Sequence, residues 1–303
     1  MTIMNTGLVR RRFLLLHNPV AGVRRRTLAR RVASELERRG AEIVMLRSWG
    51  VATRAAPEAI ARDVQLESFD AVIAAGGDGT VRALAMAVGE RTPIPIGIIP
   101  TGTGNVLANE IGMPKKASDI AEVLMRGPVV EVAGAFADSE AFFLMAGAGF
   151  DGEVVAGLNQ KLKRRFGKLA YTLPILRSMM KRPTPFAVMV DGKELEATWI
   201  VAANGRNYAG TFVLAPQARL SVRGFDAIVF NARTRRGRLL ELLAIVTGLH
   251  TRLASVTVVP CHDIAVTAPG VPVQIDGDPM TDSPITITSR GPRLRLIGPR
   301  AQL

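Results

Sequence analysis

The sequence predicts an α/β domain built on a parallel sheet, followed by an antiparallel, β-sandwich-like domain with helical insertions. Three observations lead there. Strand-like and helix-like stretches alternate over the first third of the chain, the order that gives a parallel sheet covered by helices. From Val129 onward the texture changes to short β-rich runs. Turn pairs such as Asp191-Gly192 and Asp276-Gly277 separate those runs and favour two-residue hairpins. The boundary falls near Gly127–Val129. It gives a first domain over 1–128 and a second over 129–290, with residues 291–303 a candidate return to the first.

In chain order, Phe13–His17 is a short buried-strand run closed by the turn signal Asn18-Pro19. An Arg-rich helical stretch continues to Arg39 and ends at Gly40. Glu42–Leu46 reads as a second strand and Pro57–Gln65 as a second helix. Asp70–Ala75 is a third strand that runs straight into Gly76-Gly77-Asp78-Gly79-Thr80, and a helix then extends to Val88 before Gly89. Ile94–Ile99 is the fourth strand, followed by Thr101-Gly102-Thr103-Gly104-Asn105 and a short helix ended by Gly112. In the second half, strands are expected at Val129–Phe136, Ala141–Met145, Phe186–Val190, Glu196–Ala202 and Asp226–Asn231. Ser255–Pro260, Asp263–Thr267, Pro284–Thr288 and Arg293–Ile297 continue the series. Two helical insertions, Val154–Met180 and Arg238–Leu253, interrupt it.

Composition narrows the function. Hydrophobic residues are 48% and charged residues 21% of 303, a globular balance with material for one or two cores. The net charge of +13 implies an anionic partner such as a nucleotide, a nucleic acid or an acidic membrane. Cys261 stands alone, which excludes an intramolecular disulfide and a cysteine-based metal site. His17, His250 and His262 lack zinc-ligand spacing. The N-terminal apolar run is only Phe13–Leu16, too short for a signal peptide, and Leu239–Leu249 is too short to span a bilayer. A cytoplasmic protein is expected, with attachment to the inner membrane face left open.

Gly76–Thr80 follows an apolar strand and precedes a helix, so backbone N–H groups and a helix N-terminus can meet phosphate oxygens with no side chain in the way. Asp78 inside that turn is repulsive to phosphate unless it holds Mg²⁺ or a proton, which points to metal or general-base chemistry. Thr101–Asn105 repeats the arrangement after the next strand, and Asn18–Gly22 after the first. Three such turns at neighbouring strand ends would face one ligand at the carboxyl edge of the sheet. A cleft between the two domains is the expected place for that ligand. No P-loop of the form G-x-x-x-x-G-K-[ST] occurs. Gly147, Gly149 and Gly152 match G-x-G-x-x-G, but after Glu153 no acidic residue follows until Asp191, so nothing stands where a ribose would be held. On pattern alone, Asp276-Gly277-Asp278 is an ordinary hairpin, like Asp191-Gly192.

Asn18-Pro-Val-Ala-Gly22, Gly76-Gly-Asp-Gly-Thr80, Pro100-Thr-Gly-Thr-Gly-Asn105, Gly147-Ala-Gly-Phe-Asp151 and Asp276-Gly-Asp278 occur in one order and spacing from Phe13 to about Ile297. In that combination the chain resembles the diacylglycerol kinase catalytic-domain family, which includes soluble bacterial diacylglycerol kinases and sphingosine and ceramide kinases. The resemblance implies a first domain like that of NAD kinases and phosphofructokinases, which share Gly-Gly-Asp-Gly. It implies ATP held by Asn18, Pro19, Gly22, Thr53, Gly76, Gly77, Asp78, Gly79, Thr80, Thr101, Gly102, Thr103 and Asn105. Mg²⁺ would arrive with the nucleotide and be met by Asp78. Asp278 stands at the position of the family's general base, with Asp276 and Asp78 completing the catalytic set. Asp151 and Asn204 stand where the acceptor is bound.

The chain departs from the family pattern at several points. Val81-Arg82 replaces a hydrophobic residue followed by Asn, Asp278 is shorter than the usual Glu, and a glycine triplet is reduced to Ala209-Gly210. Arg223-Gly224 stands where bacterial diacylglycerol kinases carry an acidic residue that binds a structural Mg²⁺, so that accessory metal site is not expected. The stretch Val154–Met180 mixes Lys161, Lys163, Arg164 and Arg165 with Leu158, Leu162 and Phe166, which suits an element lying on anionic lipid. The leading expectation is an ATP-dependent kinase acting on a lipid hydroxyl at an anionic membrane surface, the lipid being diacylglycerol or a related alcohol such as a sphingoid base. The alternatives are NAD-kinase-like phosphorylation of a soluble nucleotide and a non-catalytic nucleotide-binding regulator. Aromatics are only 5%, so no nucleic-acid partner is expected. The sequence leaves a homodimer open.

Overall fold

The computed structural model describes residues 9–17, 23–46, 65–89, 93–159, 162 and 167–299. The chain forms two compact units, Met1–Val132 with Pro292–Leu303, and Ala133–Gly291.

The first unit is organised by a six-stranded sheet. Its strands are β1 (Arg12–His17), β2 (Glu42–Leu46), β3 (Ala71–Gly76), β4 (Ile96–Pro100), β5 (Val129–Ala133) and β20 (Arg293–Ile297). Their spatial order is β2-β1-β3-β4-β20-β5. The pairs β1–β2, β1–β3, β3–β4 and β4–β20 are all parallel. The central strand β3 is buried throughout, which is why its sequence Ala71-Val-Ile-Ala-Ala-Gly76 is continuously apolar rather than alternating. The helices that cover the sheet show the complementary period. In α1 (Val23–Arg38), Ala29, Val32, Ala33 and Leu36 are buried at i, i+3, i+4 and i+7. Helix α2 (Asp78–Val88) follows β3, and the short α3 (Val106–Glu110) follows β4. Helix α4 (Ala117–Arg126) falls where no element is expected above, although Ile120, Ala121, Leu124 and Met125 mark a buried face at helical spacing. It packs against α1, and Leu124 comes so close to Gly97 of β4 that a Cβ there would collide with it.

The second unit is a sandwich of two antiparallel sheets. One has the order β10-β9-β16-β19-β6-β7, from Lys193–Ala197, Phe186–Val190, Asp263–Val266, Ile285–Thr288, Ala135–Ala137 and Glu140–Phe142. The other has the order β15-β14-β11-β8-β17-β18, from Val256–Cys261, Phe225–Phe230, Trp199–Ala203, Met145–Gly149, Val273–Ile275 and Asp278–Pro279. Alternate residues of both sheets meet in one core, with Val188, Val190, Ile264 and Ile287 on one side and Ile200, Ala227, Val229 and Ile275 on the other. Each such aliphatic side chain contributes about 1.5–3 kcal/mol when fully buried. Strands β12 (Asn207–Tyr208) and β13 (Phe212–Val213) form a separate ribbon.

Several expectations change here. The strand expected at Val129–Phe136 is β5 and β6, which lie in different sheets, and the one expected at Ala141–Met145 spans the end of β7 and the start of β8, again in different sheets. The single strand expected at Glu196–Ala202 is two strands, because the chain crosses from one sheet to the other at Thr198, whose N–H and Oγ1 both bond the Phe230 carbonyl. Among the described residues, the insertion Val154–Met180 overlaps α5 (Phe150–Ala156) and contains a 3₁₀ turn at Gly167–Tyr171 and α6 (Thr172–Met180), while Lys161, Lys163, Arg164, Arg165 and Phe166 lie outside the described residues. The insertion after β14 is α7 (Arg235–Thr247) with a 3₁₀ turn at His250–Arg252. Among the described residues, no helix is long and apolar enough to cross a membrane.

Candidate active site

Parallel pairing brings strand ends together. His17 lies opposite Ala75, and Gly76 opposite Pro100, so β1, β3 and β4 end at one edge of the sheet. Asn18, Pro19, Gly22 and Thr53 lie outside the described residues.

The other two glycine turns are locked together. The N–H groups of Thr101 and Gly102 both donate to the Gly76 carbonyl, at 3.0 and 3.1 Å. A Cβ on Gly102 would collide with the Gly77 Cα, so the two loops touch backbone to backbone and only glycine fits. Asn105, at φ 48°, folds its own turn by accepting from Gly102 N–H at 2.7 Å and donating to Gly102 O at 3.0 Å. Asp78 completes the clasp. Its carboxylate accepts from the amides of Val106 at 3.1 Å and Leu107 at 2.9 Å, the first amides of α3. One carboxylate therefore sits in the first turn of α2 and caps α3 as well. Gly79, Thr80, Thr103 and Gly104 surround this clasp and are exposed or half-buried, while Thr101 is buried with no donor or acceptor meeting its Oγ1. Glycine turns without obstructing side chains, beside a helix N-terminus that no side chain caps, suit phosphate oxygens. Among the described residues, no cluster of three or more acidic, histidine or cysteine side chains could hold a metal alone.

The second unit contains a different constellation. Asp276 and Gly277, at φ 48° and 83°, make the two-residue turn between β17 and β18, which places Asp278 immediately after it, opposite Ile275. The Asp276 carboxylate accepts from three backbone amides, Phe143 at 3.0 Å, Leu144 at 2.9 Å and Met145 at 3.1 Å. Asn204 bonds the same segment from another side, donating to Phe143 O at 2.7 Å and Ala133 O at 2.6 Å. Behind the turn, the buried Gln274 accepts from Gly277 N–H at 2.7 Å and donates to Asp151 at 2.6 Å, and Tyr208 also donates to Asp151. Burial pushes the Asp151 carboxyl above its ordinary range, and the two donors partly offset that. Burial, with Asp151 alongside, pushes the Tyr208 phenol well above its own.

The expected site residues thus fall into two groups, one in each unit. Gly76, Gly77, Asp78, Gly79, Thr80, Thr101, Gly102, Thr103 and Asn105 form one. Asp151, Asn204, Asp276 and Asp278 form the other. Sequence reasoning missed Gln274 and Tyr208. The available signal for Gln274 was an amide between Val273 and Ile275, four residues before Asp278. The glycines of the G-x-G-x-x-G match have local packing reasons. A Cβ on Gly147 would strike the Asp151 carboxylate, one on Gly152 would strike the Pro272 carbonyl, and Gly149 has φ 87°. The strand that carries the match is antiparallel to both its neighbours, so no dinucleotide-binding βαβ unit forms around it. Arg223 donates to Ser289 O at 3.2 Å and lines a cavity with Arg219, Asp226 and His262.

Residues 12–136 match a family model described as the diacylglycerol kinase catalytic domain. Residues 145–298 match one described as the YegS C-terminal NAD kinase beta sandwich-like domain. A diacylglycerol kinase of Mycobacterium tuberculosis is 31% identical over 241 residues, 76% of this chain and 77% of that protein. A Pseudomonas aeruginosa protein named "Probable lipid kinase YegS-like" is 30% identical over 277 residues, 88% of this chain and 87% of that one. A crystal structure of a diacylglycerol kinase from Bacillus anthracis str. Sterne shares the fold with a TM-score of 0.70 at 18% identity, over 97% of this chain and 99% of that chain.

Proposed function

The chain belongs to the diacylglycerol kinase catalytic-domain family, and from that premise we propose that it transfers the γ-phosphate of ATP to a lipid hydroxyl. Diacylglycerol or a related lipid alcohol such as a sphingoid base is the acceptor. The observation that carries the reading is the clasp of two glycine turns by Asp78 at the carboxyl edge of a parallel sheet. Such turns bind phosphate through backbone N–H groups, and their rigidity fixes where the γ-phosphate points.

In this reading Gly76–Thr80 and Thr101–Asn105 hold the nucleotide. Mg²⁺ bound with the nucleotide would supply charge neutralisation at the phosphate oxygens, and Asp78, the carboxylate in the first glycine turn, would be the residue to meet it. Asp278 takes the proton of the attacking hydroxyl. Asp276 holds the turn in place through its three amide bonds and does not touch the reacting atoms. Asp151, through both carboxylate oxygens, and Asn204, through its side-chain NH₂, are engaged inside the protein and shape the acceptor side from behind.

The test is transfer of labelled γ-phosphate from Mg-ATP into chloroform-extractable product, with bacterial lipids in mixed micelles. Asp278→Asn is expected to retain ATP binding and lose about 10²–10⁴-fold in turnover, the usual contribution of a positioned base. Full activity of that variant would remove Asp278 from the role. Label in a water-soluble product instead would move the acceptor to a nucleotide.

A further inference from the structure

Helix α7 inverts the ordinary pattern of a surface helix. Its inward face carries Arg238 and Glu241 beside Ala244 and Ile245. Its outward face carries Leu239, Leu240, Leu243 and Val246, which are 48–59% exposed. Specific contacts fix that orientation. Arg238 stacks over the Phe150 ring at 5.1 Å and donates to Ser178 O of α6 at 3.4 Å, while Glu241 accepts from Ala232 N–H at 3.1 Å. Rotating the helix to bury its leucines would break these contacts and leave the buried Ala232 N–H without its acceptor.

The neighbouring α6 extends the apolar face with exposed Leu173, Leu176 and Met180, and Leu169 precedes it. Contiguous apolar surface of this kind marks an interaction site rather than scattered exposure. Cations accompany it: Arg235 and Arg236 in the first turn of α7, Arg177 on α6, and Lys181 and Arg182 just after α6, all exposed. No acidic residue stands on α6, and the single one on α7, Glu241, is buried.

We propose that the α6–α7 face seats the second unit on an anionic lipid bilayer, with its leucines entering the acyl boundary and its arginines lying among the lipid phosphates. The proposal rests on the lipid-kinase reading, in which the acceptor comes from a membrane. Charge decides between a bilayer and a second copy of the chain. A two-fold dimer through this face would set its arginines against themselves, whereas a phosphate-rich surface complements them.

Flotation of the full chain with vesicles, in the absence of ATP, tests it. Binding is expected to vesicles of phosphatidylglycerol and phosphatidylcholine, and to weaken on pure phosphatidylcholine and in high salt. Leu240→Glu with Leu243→Glu, Leu176→Glu alone, and Arg235→Glu with Arg236→Glu should each lower binding about tenfold or more. All these positions are exposed, so thermal unfolding should match the parent. Parent-like flotation of all three variants would overturn the surface, as would a parent that binds no vesicles and is a dimer in light scattering that the leucine variant dissociates. The two readings fail separately. A chain that binds vesicles through this face but phosphorylates no lipid loses the kinase reading alone. One that phosphorylates lipid in micelles while its variants float normally loses only the surface.

Discussion

Asp151 is a carboxyl group whose hydrogen bonds reach, through one intermediary, the turn that carries Asp278. It is 5% exposed and sits between two donors, the Tyr208 hydroxyl and the Gln274 amide. The Gln274 orientation is not free, because its carbonyl oxygen already accepts from Gly277 N–H. Asp151→Asn therefore cannot keep the set. One orientation of the new amide faces its NH₂ to the Gln274 NH₂; the other turns its NH₂ to the Tyr208 oxygen, which can accept, but leaves the hydroxyl proton without an acceptor. Either way a buried donor is left unsatisfied, about 1 kcal/mol net and more if the orphan stays dry. The expected outcome is a modest fall in unfolding midpoint together with a fall in kcat, at unchanged KM for ATP. A purely structural residue would lower the midpoint and leave kcat per folded molecule alone, so the split between the two readouts decides it.

At the scale of elements, the two glycine turns depend on each other. Asp78 belongs to α2 yet caps α3, so the β3 and β4 ends are one assembly rather than two loops. Asp78→Ala is expected to cost about 1–2 kcal/mol, as lost caps do, and to remove ATP binding. Asp78→Asn keeps one acceptor and should recover much of the stability in thermal unfolding while leaving turnover impaired. The sequence made the two turns themselves legible, since a six-residue apolar run ending in Gly-Gly-Asp-Gly leaves few alternatives. It did not show the clasp, because the partner amides lie 28 and 29 residues away. Nor did it show that Asp276 bonds Phe143–Met145, more than 130 residues distant. The hairpin at Asp276-Gly277 was readable from turn chemistry, whereas β17 and β18, with three and two residues, are too short to leave a period. Helix α4 was legible and passed over. The break at Thr198 also left a trace, since Lys193-Glu-Leu-Glu-Ala197 alternates whereas Trp199-Ile-Val-Ala-Ala203 is continuously apolar and buried throughout, but the change of period was read as one strand.

Across the whole molecule, charge is distributed unevenly. The chain carries +13 overall, yet the second unit holds Asp151, Asp226 and Glu241 in its interior, each pushed above its ordinary value first of all by burial. Of these, Asp226 has the least compensation. It lies on β14 opposite Pro260, which has no N–H to give, and its Oδ2 meets no donor. The linkage sign follows from the direction of the shift. A carboxyl whose folded pKa lies above its unfolded value binds its proton more tightly in the fold, so folding is favoured below the unfolded value. Stability is then lost as pH rises from the unfolded value through the folded one. Asp226→Asn removes that loss while keeping the shape of the side chain. Well below the ordinary aspartate value of about 3.9, where the parent carboxyl is protonated in both states, the variant and the parent should unfold at nearly the same temperature. Toward pH 7 the variant should become the more stable of the two, with a gap that widens through the intervening range and then levels. Thermal unfolding of the pair across that range cancels the titration of every other group, because all of them are common to both chains. A gap that stays constant with pH would mean that Asp226 keeps its solution affinity for the proton, burial being offset by nearby positive charge, and a gap of the opposite sign would mean that the positive charge outweighs burial.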